Sequence, residues 1–402
     1  MPGAKKQKKA LIVWGNWGPY HYSRFKGFKE ACTDRGIQPI GLELFQKSNI
    51  YEWSTTQQET SVKHFSFGEQ EMAFPIWKCL TQLLPYLWKL KADYALVPSY
   101  WHWSLFINIV CRLRGAKIIM MNESHADTER AKGVKRGLKK LIVKRFHAAL
   151  VGGKPHVRHF ESLGMKPGSI FPGYDAIDVN YFAEQADVIR SNAAKNHALL
   201  NLPDRYFLSL SRMVEKKNLP GLVEAYSHLN TRSMSPVPHL VFVGSGPLEK
   251  RVREAVRAYE IPLYDHEEGK EVGTIDNQTK GIHFYGFRQI DVNPIFFTLA
   301  DAFIMPSLWE EWGLVVNEAL ACSTPVIVSA NAGCAEDLVI EGQTGYKIDP
   351  RNIESITTAM SHIAEDSTDL ASMGAAGLSL VRTFDCNNFG INALRAIEYT
   401  TA

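Results

Sequence analysis

The chain has 402 residues, 45% of them hydrophobic and 22% charged, with a formal net charge of +3. That length suits two domains better than one, the composition is that of an ordinary globular protein, and the charge is too small to argue for nucleic acid as a partner. Cys32, Cys79, Cys111, Cys322, Cys334 and Cys386 show no C-x-x-C or zinc spacing and no apolar run reaches the length of a membrane span, so the expectation is a cytoplasmic protein with free thiols.

The basic start precedes an apolar run, residues 10–14, that is too short for the core of a signal peptide and reads as a first strand. A turn, Gly15-Asn-Trp-Gly18-Pro, and a helix over 22–34 stopped by Gly36 follow, then a strand over 37–44. Further strand and helix units come at 95–98, 106–113 and 117–121. Apolar strands alternating with helices in this way predict a parallel sheet covered on both faces, with ligands beyond the carboxyl ends of the strands. Gly15 and Gly18 lie at one such end and Asn122-Glu-Ser-His125 at another. The two glycines serve either a phosphate or merely a tight turn. His125 reads either as a satisfied structural histidine or as a site residue. His21 and His102, each among aromatic residues, are acceptor-side candidates.

Residues 131–146 read as a basic amphipathic helix, with Val134, Leu138, Leu141, Ile142 and Phe146 on one face and Lys132, Lys135, Arg136, Lys139, Lys140, Lys144 and Arg145 over the rest. Its basic face is either simply solvated or a contact for anionic lipid or a phosphorylated acceptor. Residues 183–203 are polar and loosely helical, as a linker between domains 1–182 and 204–384 would be. The second domain opens with a strand ending at Arg212, and Lys217 follows five residues later. An arginine and a lysine at a strand's carboxyl end can converge on a diphosphate, although Lys216 alongside also fits a solvated basic turn. Gly244-Ser-Gly246 is explained by a turn alone, residues 258–280 read as a polar surface insertion, and 282–287 as a strand end.

A strand over 301–307 then gives way to a loop with Glu310, Glu311 and Gly313, and a helix follows with apolar Leu314, Val315, Ala319 and Leu320. The N–H groups of its first turn attract anions, while Glu310 and Glu318 can accept hydrogen bonds from diols. A ligand with phosphate in the middle and polyol at both ends is a nucleotide sugar.

The run from Glu310 to Glu318, with Pro-Ser ending the strand before it and Glu341-Gly-x-x-Gly345 after it, resembles the E-x7-E signature of retaining family-4 glycosyltransferases with the GT-B fold. The resemblance implies an α/β protein of two doubly wound, Rossmann-like domains facing a central cleft, with donor on the second, acceptor on the first, and a last helix, within 385–402, returning to the first. It implies transfer of a sugar with retention from a UDP- or GDP-sugar to a hydroxyl acceptor that is a sugar, a lipid-linked or a small molecule. By the same resemblance Arg212 and Lys217 hold the diphosphate with the N–H groups of Gly313, Leu314 and Val315. Backbone groups around Tyr285 and Phe287 meet the nucleobase, Glu318 the ribose and Glu310 the sugar hydroxyls. His125 lines the sugar pocket, and Gly18 approaches the donor. Glu310, His125, Arg212 and Lys217 are the catalytic candidates. No cofactor is expected, and with no Asp-x-Asp in the chain no metal either. An epimerase or phosphorylase on the same fold, or a non-catalytic binder of nucleotide sugar or glycan, are the rival readings. Ser323, and Ala332-Gly333, stand where the family usually has glycine and a glycine pair.

Overall fold

The computed structural model describes residues 7–45, 59–67, 76–99, 102–230, 236–267, 273–365 and 367–401. The chain divides into two compact units, 1–178 with 384–402, and 179–383. The first unit holds strands β1 (Lys9–Trp14), β2 (Gln38–Glu43), β3 (Val62–His64), β4 (Tyr94–Pro98), β5 (Lys117–Asn122), β6 (Ala148–Val151) and β7 (Ile170–Pro172). They form one sheet in the order β3-β2-β1-β4-β5-β6-β7, with parallel pairing throughout. The central strands are apolar without alternation and buried on both faces, which is what helices on both sides of a parallel sheet require.

The second unit repeats the plan with β8 (Tyr206–Leu210), β9 (His239–Val243), β10 (Leu263–Asp265), β11 (Ile282–Phe284), β12 (Ala302–Met305), β13 (Val326–Ser329) and β14 (Gly345–Ile348). Their order is β10-β11-β9-β8-β12-β13-β14, again parallel. The doubly wound α/β class expected from the alternation is therefore present twice. Because every strand runs the same way, each sheet gathers all its carboxyl ends on one edge.

Three local readings change. The 258–280 stretch is not merely an insertion: β10 lies within it and pairs with β11 from Leu263 opposite Ile282 to Asp265 opposite Phe284. Its polar composition is that of a half-exposed edge strand. Most of 183–203 lies in two regular helices, Val179–Ser191 and Ala193–Leu200, and Arg190 Nη2 donates to the Cys322 carbonyl within the second unit. The basic helix spans Gly133–Val143 and keeps only the C-terminal part of its expected apolar face inside, with Phe146 buried and Ile142 packed against the core. Val134 is 91% exposed and Leu138 and Leu141 are exposed, whereas Lys139 is only 4% exposed. Lys139 is buried because its ammonium pairs with Glu129 at 2.6 Å and meets His159 Nε2 at 3.4 Å, partners that lie outside the helix.

The last helix, Cys386–Tyr399, packs on the Pro19–Asp34 helix of the first unit. Backbones touch there, since a Cβ on Gly27 would run into the Cys386 carbonyl and one on Gly390 into that of Gly27. All six cysteines are buried and unbridged. Ser323 has φ of 55°, in the left-handed region where the expected glycine would sit without strain. Among the described residues no helix is long and apolar enough to cross a membrane.

Candidate functional site

The second unit's site is built where β8 and β12 end side by side, paired from Ala302 opposite Phe207 to Phe303 opposite Leu208. Beyond β8 the chain carries Arg212, which is exposed, and then a short 3-10 turn, Glu215–Lys217. The glycine turn after β9 braces this segment: Met213 donates its N–H to Ser245 at 2.8 Å, Leu248 to Met213 at 3.0 Å, and Gly244 to Gly286 at 2.7 Å. Beyond β12, Ser307 leads into the loop with Glu310. The Leu308 N–H donates to the Lys216 carbonyl at 2.7 Å, tying the two strand ends together through main chain.

Side chains close the junction. Glu310, 7% exposed, receives Lys216 Nζ on Oε1 at 2.6 Å and Lys217 Nζ on Oε2. Lys216 also pairs with Glu311 at 2.9 Å. Burial alone would raise the Glu310 carboxyl, but the two lysine charges and their hydrogen bonds outweigh it and hold it below the usual carboxylate range. Burial likewise opposes the Lys216 ammonium and is outweighed by Glu310 and Glu311, which hold it above the usual range. Sequence reasoning placed Glu310 and Lys217 here but treated Lys216 as a solvated neighbour. The only signal for it was the adjacency Lys216-Lys217.

The loop is fixed from behind. The Gly333 N–H donates to the Glu310 carbonyl at 3.1 Å, Asn331 Nδ2 to that of Leu308 at 3.1 Å, and Trp312 Nε1 to Asn317 Oδ1 at 2.8 Å. Gly313 caps the Leu314–Ala321 helix with φ of 104°, and a Cβ there would lie 2.7 Å from Met305 Cε, so only glycine fits without strain. The helix is buried from Val316 to Ala321, Glu318 included, while Leu314 and Val315 are half-buried. The expected single apolar face is therefore incomplete: the first turn stays partly open, as an anion site at the helix N-terminus requires.

Where the resemblance expects the nucleobase, Tyr285 is buried, and its N–H is committed to the Phe242 carbonyl at 3.0 Å. Its amide thus belongs to the sheet. Phe287 offers its carbonyl to Arg288 Nη1 at 3.0 Å. Beneath them three histidines form a chain: His239 Nδ1 lies 2.7 Å from His283 Nε2, and His283 Nδ1 lies 2.8 Å from His266 Nε2. His266 stacks on Tyr285 at 4.0 Å and His283 on Tyr264 at 4.6 Å. Burial pushes all three pKa values down, His266 to about 4 and His283 to about 2, where the neighbouring histidines add to the effect. Depressed values mean the neutral chain contributes its full stability above the unfolded value near 6.5 and loses it as pH falls toward the folded values. We expect the melting temperature to fall as pH drops from about 6.5 to about 4.5, with His266 and His283 neutral by NMR at pH 5.5. A charged His266 or His283 at that pH would contradict their burial.

In the first unit, Gly18 caps the Pro19–Asp34 helix, and its N–H is taken by His21 Nδ1 at 3.0 Å. Burial, with the Arg24 charge, lowers His21 to about 3. His21 is thus a neutral cap through Nδ1, and the Gly18 amide is already in use. His125 is buried just past β5, 3.7 Å from Asp127 and edge-on to His156 at 5.2 Å. The His102 side chain lies outside the described residues.

Residues 204–366 match the family described as Glycosyl transferases group 1. A curated relative, the GDP-mannose-dependent alpha-(1-6)-phosphatidylinositol monomannoside mannosyltransferase of Mycolicibacterium smegmatis, is 29% identical over 50% of this chain and 48% of its own. Sucrose synthase of Solanum tuberosum is 27% identical over 46% of this chain and 23% of its own, so the matches span about half or less of these relatives. Among solved structures, a glycosyltransferase from Rickettsia africae ESF-5 superposes with a TM-score of 0.71 at 17% identity, covering 99% of both chains. Anabaena Alr3699/HepE in complex with UDP and glucose gives 0.68 at 14% identity over 97% of this chain and 99% of its own. The match to Glycosyl transferases group 1 thus covers residues 204–366, and the two parallel-sheet, Rossmann-like units have the fold of GT-B glycosyltransferase structures.

Proposed function

We propose that the protein is a retaining glycosyltransferase of the family-4 type, moving a sugar from a UDP- or GDP-sugar to a hydroxyl acceptor. The observation that carries this reading is the junction of Lys216, Lys217 and Glu310 in front of the Gly313 helix N-terminus. Arg212, Lys217 and the first-turn N–H groups of Leu314 and Val315 take up the charge that develops on the departing diphosphate. Glu310 holds the transferred sugar and Glu318 the ribose; on the first unit, His125 is the candidate for contact with the sugar. The relatives' names, one GDP-mannose-dependent and one crystallised with UDP-glucose, support testing both bases.

A thermal-shift screen of UDP- and GDP-sugars tests the reading, because a ligand of the folded state raises the melting temperature by mass action. At least one should stabilise the protein and, with an alcohol acceptor, yield a glycoside of retained configuration. A screen in which none binds, or products limited to an epimer or a sugar phosphate, would overturn it. Arg212, Lys217 and the helix N-terminus already supply positive potential, so the proposed transfer needs no metal. Activity lost to a chelator and restored by magnesium or manganese would refute that part.

The Gly133–Val143 helix supports peripheral contact with an anionic membrane, since exposed Val134, Leu138 and Leu141 stand among exposed Lys132, Lys135 and Arg136 and half-buried Lys140. Lys140→Gln should lower co-sedimentation with phosphatidylserine vesicles about fivefold, at roughly 1 kcal/mol per basic residue, and the difference should vanish in high salt. Unchanged binding would remove the membrane from the proposal.

A further inference from the structure

The donor site contains a contradiction that the geometry resolves. Under the reading above, Lys217 grips the donor's diphosphate. In the structure, however, its Nζ is held by Glu310 Oε2. A carboxylate as enclosed as Glu310 does not tolerate losing its only cation, because an unpaired buried charge is strongly unfavourable. Glu310 has a second one. Lys216 occupies the other oxygen, Oε1, at 2.6 Å, and is itself held in place by its carbonyl's bond to the Leu308 N–H and by Glu311 Oε2 at 2.9 Å. Glu311 lies on the open side of the pair and is 40% exposed at its side chain, so it draws on Lys216 less than the enclosed Glu310 does.

We propose that Lys216 is a positioning residue that keeps Glu310 neutralised and oriented through Oε1, so that Lys217 can pass from Oε2 to the donor's diphosphate. This rests on the proposed donor site and deepens it. Neighbouring lysines here have separate tasks: Lys216 serves the protein's carboxylate and Lys217 the ligand's phosphate. Without Lys216, Glu310 would compete for Lys217 with its full charge, and every diphosphate would have to win that competition. Lys216 therefore acts on the ligand only through Glu310, which distinguishes it from a phosphate ligand and from a residue that merely stabilises the fold.

A double-mutant cycle reads this coupling. Binding of UDP and of GDP is measured by calorimetry on the full chain, and the tighter of the two is used for all variants. Lys216→Met should weaken it about fivefold in the parent background and less than about twofold in the Glu310→Gln background, where the carboxylate that holds Lys217 is gone. Lys216→Arg, which keeps the cation, should stay within about twofold of the parent. Equal losses from Lys216→Met in both backgrounds would make Lys216 a phosphate ligand or a structural residue and overturn the proposal, as would no loss in the parent. Lys217→Met tests the underlying reading separately. It should weaken binding about tenfold in both backgrounds. If it has no effect in either, the donor site itself is wrongly placed, whatever Lys216 does.

Discussion

Glu310→Gln is expected to lower turnover about 100-fold, the order of loss that small misplacement of reacting groups produces. It should leave UDP or GDP affinity within about threefold of the parent. The carboxylate lies on the loop ahead of Gly313 and is fixed there by the Gly333 N–H on its carbonyl and by two lysines on its side chain. In the proposed reaction it meets the transferred sugar, which a nucleoside diphosphate lacks, so its loss falls on kcat. Glutamine keeps the size and one acceptor but withdraws the charge that orders Lys216 and Lys217. The nucleotide should not suffer, because Lys217 is then released to the diphosphate. The Glu310 carboxyl is depressed by its lysines, so the paired form is complete above the ordinary carboxylate range and is lost as pH falls through its lowered folded value. Steady-state kinetics with the donor found by screening, and calorimetry with the nucleotide alone, read the two quantities separately. A loss of nucleotide affinity with turnover intact would show that Glu310 serves the nucleotide instead.

Glu318→Gln should behave in the opposite way. Glu318 is buried on the Leu314–Ala321 helix, within a segment enclosed from Val316 onward. It is proposed to take the ribose diol, a part of the donor that is unchanged by reaction, so its contribution is equal in ground and transition states. The charge-assisted bonds that glutamine weakens are worth roughly 1.5–3 kcal/mol. Nucleotide affinity should fall about tenfold or more, and most of the turnover should return at saturating donor. Glutamine preserves the shape of the side chain, and a melting temperature measured alongside distinguishes lost ribose contacts from a loosened helix. Unaltered nucleotide affinity with reduced turnover would assign Glu318 to the sugar.

The sites and the sheet were legible to different degrees, for physical reasons. Apolar strands alternating with helices declare a parallel sheet because both faces of each strand must be buried, and this pattern is written locally. The loop from Glu310 to Gly313 was legible for a similar reason. A strand ending at Met305 is followed by a short loop, a glycine with positive φ at Gly313 and a helix start at Leu314, and the glycine is demanded by its own backbone. The edge strand β10 was not legible, since three half-exposed residues, Leu263 to Asp265, carry no hydrophobic pattern and are ordered by pairing with β11.

Sequence alone therefore determined the doubly wound class, the positions of the strand ends, and the carboxylates and cations available there, all of which follow from short-range spacing. Tertiary structure alone decided which charges meet. Lys216 and Lys217 reach Glu310 across more than 90 residues, Lys139 is drawn inward by Glu129 and His159, and His239, His283 and His266 line up only because β9 lies beside β11 and β11 beside β10. Whether a charged side chain is solvated or buried depends on partners that are remote in the chain, and local periodicity contains no information about them.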